Sequence, residues 1–179
     1  MCKKEQKKVA NSDVQIVNGA EITLTYEGSS KVRCVFVEFV GERPFSWRTF
    51  GKENYEENNW AALDSEIAEA LLQELTTSIQ KGEVRSFSFS LEPWGEGHYL
   101  NADFANGWAA VVYLDDEEQQ YYNPYNQNYD TMELAPVEFE GQSPVPKRFA
   151  LEDMGEVAEI ASWFLKTGQL CPNVPWVRS

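Results

Sequence analysis

The stretch from Glu83 to Asp116 constrains the fold more than any other part of the chain. In EVRSFSFSLEPW the residues Val84, Phe87, Phe89 and Leu91 are set among serines, and an alternation of period two puts successive side chains on opposite faces of a strand. The step from Val84 to Phe87 breaks that period by one residue. HYLNADFANGWAAVVYLDD then supplies two further β-type runs joined at Asn106-Gly107. This dipeptide provides the two positive φ angles of a type I′ turn, so the runs are expected to form a hairpin. Turns this short cannot carry a parallel crossover, and the meander must be antiparallel.

The remaining segments fit around that meander. VQIVNGAEITLTYEG, residues 14–28, reads as a hairpin about Asn18-Gly19, and KVRCVFVEFVG, residues 31–41, as a central strand closed by Gly41. Residues 42–60, with Pro44, Trp47 and Gly51, show neither period and read as a long ordered loop or a partner-facing insertion. In AALDSEIAEALLQELTTSIQKG the residues Ala68, Leu71, Leu72, Leu75 and Ile79 share one helical face, and Gly82 stops the helix. TMELAPVEFEG is a further strand in which Pro136 implies an edge or a bulge.

The last segment, LEDMGEVAEIASWFLKTGQLCPNVPWVRS, is a second amphipathic helix with Val157, Ile160, Ala161, Phe164 and Leu165 on one side. Asp153 and Glu156 have the spacing of a capping box, and Gly168 ends the helix. The expected architecture is α+β, an antiparallel sheet of about six or seven strands packed against two amphipathic helices. Its 179 residues suit one domain, residues 13–179, behind a flexible basic tail of residues 1–12.

The net charge is −14, and its distribution is informative. Residues 1–8 carry four lysines against one glutamate, whereas the 61 residues from Ser86 to Pro146 contain no Lys or Arg and eleven Asp or Glu. A phosphate-binding face needs clustered cations, so nucleic acid is excluded as a partner there and a basic protein is favoured.

Three cysteines, Cys2, Cys34 and Cys171, are too few and too far apart for a disulfide framework or a zinc set, and Cys34 reads as a buried thiol. The opening MCKKEQKK suits either a cytoplasmic start or a lipoprotein tether anchored through Cys2. No run approaches the ~18 apolar residues of a membrane span.

Catalytic patterns are sparse. His98 is the one histidine and has no nucleophile motif beside it. Neither H-E-x-x-H, C-x-x-C, a P-loop nor G-x-G-x-x-G occurs, and WGEG at residues 94–97 reads as a turn. Contiguous DDEE lacks the spacers and glycine of a calcium loop, so no metal or other cofactor is expected. A carboxylate pair for glycoside hydrolysis depends on separation in space and stays open at this stage.

The segment DDEEQQYYNPYNQNYD, residues 115–130, exceeds the two to five residues of an ordinary hairpin loop and is expected to do more than reverse the chain. Tyrosines interleaved with Asn and Gln suit a protein-binding surface, and acids beside them speed encounter with a cationic partner. The candidate contacts are Asp115, Asp116, Glu117, Glu118, Tyr121, Tyr122, Tyr125, Tyr129 and Asp130, together with Trp94. Alternate positions of an extended stretch turn inward, which would take half of the tyrosines into the core. Trp47, Trp60, Trp94 and Trp108 also support an alternative, a lipoprotein or secreted domain that binds or processes carbohydrate.

The order of elements and the ending ASWFLKTGQLCPNVPW give a family resemblance. Phe164, Leu165, Thr167, Gly168, Pro172 and Trp176 match the F-L-x-T-G, Pro and Trp pattern that closes the first Imm family of bacterial polymorphic-toxin immunity proteins, and residues 62–179 resemble that family. The resemblance implies a non-enzymatic protein, a monomer or weak homodimer, that binds a cognate toxin and blocks its active site. The toxin would be a nucleic-acid deaminase or nuclease with a basic cleft, and Phe164 and Trp176 would be core residues.

Overall fold

The computed structural model describes residues 16–17, 34–40, 60–61, 65–92 and 97–179. In chain order the elements are β1 (Ile16–Val17), β2 (Cys34–Phe39), β3 (Trp60–Ala61), α1 (Ser65–Gln80), β4 (Val84–Ser90), β5 (Tyr99–Ala105) and β6 (Trp108–Asp115). They continue with β7 (Gln120–Pro124), β8 (Leu134–Phe139), β9 (Ser143–Pro146), β10 (Ala150–Leu151), α2 (Met154–Thr167) and β11 (Trp176–Arg178). Among the described residues, one antiparallel sheet runs in the order β1-β11-β7-β6-β5-β4-β2-β3, with β10 on β6. Six of these strands exceed two residues, and two helices cover one face, so the fold is α+β.

The turns and breaks follow from local sequence. Asn106 and Gly107 have φ values of 53° and 78° and join β5 directly to β6, as the Asn-Gly pair predicts. The step from Val84 to Phe87 is a β-bulge: Ser86 pairs with Glu38 and Val84 with Phe39, which leaves Arg85 as the extra residue. Asp153 caps α2 by accepting from the Gly155 and Glu156 N–H groups, and Gly168, at φ 69°, ends it. The Asn18-Gly19 hairpin, the loop assigned to residues 42–60, Cys2, and the Cys34 side chain lie outside the described residues.

The inward sheet face carries Val35, Val37, Phe87, Phe89, Leu100, Ala102, Val111, Tyr113 and Tyr122, all buried. Leu72, Leu75 and Ile79 of α1 and Val157, Ile160, Ala161, Phe164 and Leu165 of α2 pack onto it in one cluster. Phe164 reaches both Phe89 and Tyr113, with ring centroids 6.5 and 6.0 Å away. Each such large side chain contributes roughly 1.5–3 kcal/mol by leaving water. Trp176 is fully buried and donates its indole N–H to the Cys171 carbonyl at 2.9 Å, so no polar atom of that ring is left unsatisfied.

The outer face is divided. The β8–β9 hairpin forms its own two-stranded sheet and closes a smaller core in which Ala110, Ala135, Val137 and Ala150 are buried beside Trp108, Phe139 and Val145. The register of β8 on β9 shifts between Leu134 and Glu138, the stretch that holds Pro136, as a strand proline requires. Beyond the hairpin, Tyr99, Leu114 and Tyr121 stand in one row across β5, β6 and β7, and Ser88, Asn101 and Val112 in the next.

Candidate functional site

The acidic stretch is a turn, contrary to the expectation of a long special loop. β6 ends at Asp115 and β7 begins at Gln120, so residues 116–119 make an ordinary four-residue hairpin connection. Gln119 takes the positive φ, at 50°, and its amide donates to the Asp116 carbonyl and carboxylate. Asp115 Oδ1 accepts from the Glu117 and Glu118 N–H groups at 3.1 and 3.2 Å and lies 3.0 Å from His98 Nε2. Glu118 accepts from the Tyr122 hydroxyl and pairs with Arg178 at 2.9 Å. Asp116 and Glu117 are exposed, and they form the part of the run that projects from the end of the sheet.

The tyrosines are sorted by strand alternation. Tyr121 points outward and is 46 % exposed. Tyr122 points inward against Tyr113, with centroids 5.8 Å apart, and Tyr125 is also buried. Both were expected as contact residues and are corrected here to core residues, because successive side chains of β7 face opposite sides of the sheet. Burial pushes the Tyr122 hydroxyl above its ordinary pKa, and Glu118 beside it adds to the rise. The Tyr99 hydroxyl is pushed up to about 12, first by burial and then by Tyr121.

Tyr129 and Asp130 lie beyond the far end of β7, away from the acidic turn, so residues 115–130 do not make one patch. The Tyr129 ring packs on Trp108 with centroids 5.5 Å apart, and its hydroxyl donates to Glu152 at 2.9 Å. Lys147 places its ammonium 5.9 Å from the Trp108 ring and 5.5 Å from the Tyr129 ring, and pairs with Glu133. Between the two ends, Asn126 is buried and acts as a clasp. Its N–H donates to the Arg148 carbonyl and its amide to the Ala150 carbonyl, which docks β10 onto β6 where β7 leaves it. Trp94 lies outside the described residues.

A second feature of the outer face carries no sequence signature. Ser86, Ser88, Asn101 and Asp103 line a pocket of about 130 Å³, with Phe139 and Glu140 from the β8–β9 hairpin at its side. Asp103 accepts from the Glu140 N–H at 2.9 Å. Burial holds its carboxyl above the ordinary value; that hydrogen bond offsets part of the rise, and the charges of Glu140 and Glu38 add to it. Strand pairing alone brings these residues together, since Ser86 opposes Asp103 and Ser88 opposes Asn101.

Among the described residues, no three His, Cys, Asp or Glu side chains converge into a metal-binding group. None of the described helices is long and apolar enough to cross a membrane. No family model, curated protein or solved structure matches the chain.

Proposed function

We propose that this protein is a non-catalytic inhibitor that binds a basic protein, acting as a cytoplasmic immunity protein toward a cognate bacterial toxin. One observation carries the reading. The cation-free segment from Ser86 to Pro146 builds β5 to β9 and nearly all of β4, so the uncovered outer face and the β6–β7 turn come from a part of the chain without Lys or Arg. Arg85 and Lys147, at the two margins of this segment, are each paired with a glutamate.

Enzymes that act on nucleic acid present basic clefts, and a surface of carboxylates and phenols can occupy one by imitating phosphate charge. Asp116 and Glu117 at the turn would steer encounter, while Tyr121 on the outer face supplies rigid contact area. The ending of the chain, with its likeness to immunity proteins, is consistent with this role.

The test is to mix the purified protein with the toxin encoded beside its gene and to follow both complex formation and the toxin's nuclease or deaminase activity. A stoichiometric, salt-sensitive complex and loss of activity are expected. Undiminished toxin activity with no complex at micromolar concentrations would sink the proposal.

A further inference from the structure

The pocket over β4 and β5 is chemically one-sided. Ser86, Ser88, Asn101, Asp103 and Glu140 present hydroxyls, an amide and two carboxylates, and Phe36 and Phe139 add aromatic surface. No Lys or Arg lines it. The Asn101 Oδ1 atom is shut off from solvent and has no hydrogen-bond donor, although a buried acceptor is normally satisfied. Its volume of about 130 Å³ compares with roughly 10–15 Å³ needed for one water on a similar measure, so a planar group of several atoms fits.

From this geometry we infer that the pocket receives one guanidinium group, the head of an arginine side chain on the basic partner. The planar fork would donate to Asp103 and to the unpaired Asn101 oxygen, and its weakly hydrated face suits the phenylalanine surface better than a compact ammonium does. The identity of the partner rests on the function proposed above. The chemistry of the pocket does not.

The experiment is a ¹⁵N-resolved titration of the full chain with N-acetyl-arginine N-methylamide, with the lysine and citrulline analogues in parallel. Saturable shifts at the Ser86, Ser88, Asn101 and Asp103 amides are expected for arginine. The neutral citrulline analogue and the Asp103→Asn protein should each bind at least about tenfold more weakly, the loss expected for a charge-assisted hydrogen bond. An absent or non-saturable arginine response, an equal citrulline response, or no effect of D103N would overturn the pocket assignment. Equal binding of the lysine analogue would overturn the preference for guanidinium. If arginine binds here while the toxin is not inhibited, the pocket stands and the inhibitory role falls. Inhibition without arginine binding gives the reverse.

Discussion

His98 Nε2 stands 3.0 Å from Asp115 Oδ1, which ties the chain just before β5 to the end of β6. The same oxygen accepts from two backbone N–H groups of the β6–β7 turn, so Asp115 is a structural cap, and reversing the charge of the whole DDEE run would damage the fold. Asp115→Ala should lower stability by about 1.5–3 kcal/mol, the range for hydrogen bonds to a charged group. Asp116→Ala and Glu117→Ala should stay within about 0.5 kcal/mol. Urea midpoints of the three variants check the ordering.

The interface placement is tested with the two acids that do no such work. Asp116→Lys with Glu117→Lys should slow association with the basic partner several-fold at low salt and leave dissociation nearly unchanged. The difference should shrink as ionic strength rises, because exposed charges are screened over about 8 Å at physiological salt. Stopped-flow association rates at two salt concentrations decide it, and identical rates would move the interface elsewhere.

Asp103 links the pocket to pH. Its pKa is raised in the folded protein, so the native state holds its proton to a higher pH than the unfolded chain does. Stability from this group is therefore present below the unfolded value and is lost as pH rises through the folded pKa. Asp103→Asn should raise the melting temperature at pH 7, and the gain should vanish below the unfolded carboxylate pKa of about 3.9. A constant difference across that range would show that the substitution acts through packing.

Gly168 combines a backbone requirement with a tight contact. Its φ is 69°, and a Cβ there would meet Leu91 Cδ2 at 2.7 Å. Gly168→Ala should cost about 1–2 kcal/mol from the left-handed conformation, plus whatever Leu91 loses by moving. The loss should appear as a lowered urea midpoint with an unchanged slope.

Several of these features were legible in the sequence because a single local cause produces them. Asn106-Gly107 announces its turn through φ, Gly168 announces the end of α2, and the gap between Val84 and Phe87 announces the bulge. The acidic tyrosine stretch was misread for the opposite reason. Tyrosine suits both faces of a sheet, so Tyr121 outside and Tyr122 inside show no hydrophobic alternation, and the start of β7 at Gln120 is invisible. β10 and β11, at two and three residues, are too short to have a period and exist only through pairing with β6 and β7. The pocket was hidden because Ser86, Asn101 and Asp103 meet by register, which depends on the turn and the bulge together.

The split outer face has a further consequence for how such a protein can change. Tyr99, Ser88, Asn101 and Tyr121 alternate along their strands with the residues that hold the helices, so each can be replaced without disturbing its inward neighbour. A lineage pressed to follow a shifting adversary could rewrite its recognition code one position at a time, while the scaffold beneath keeps its melting point.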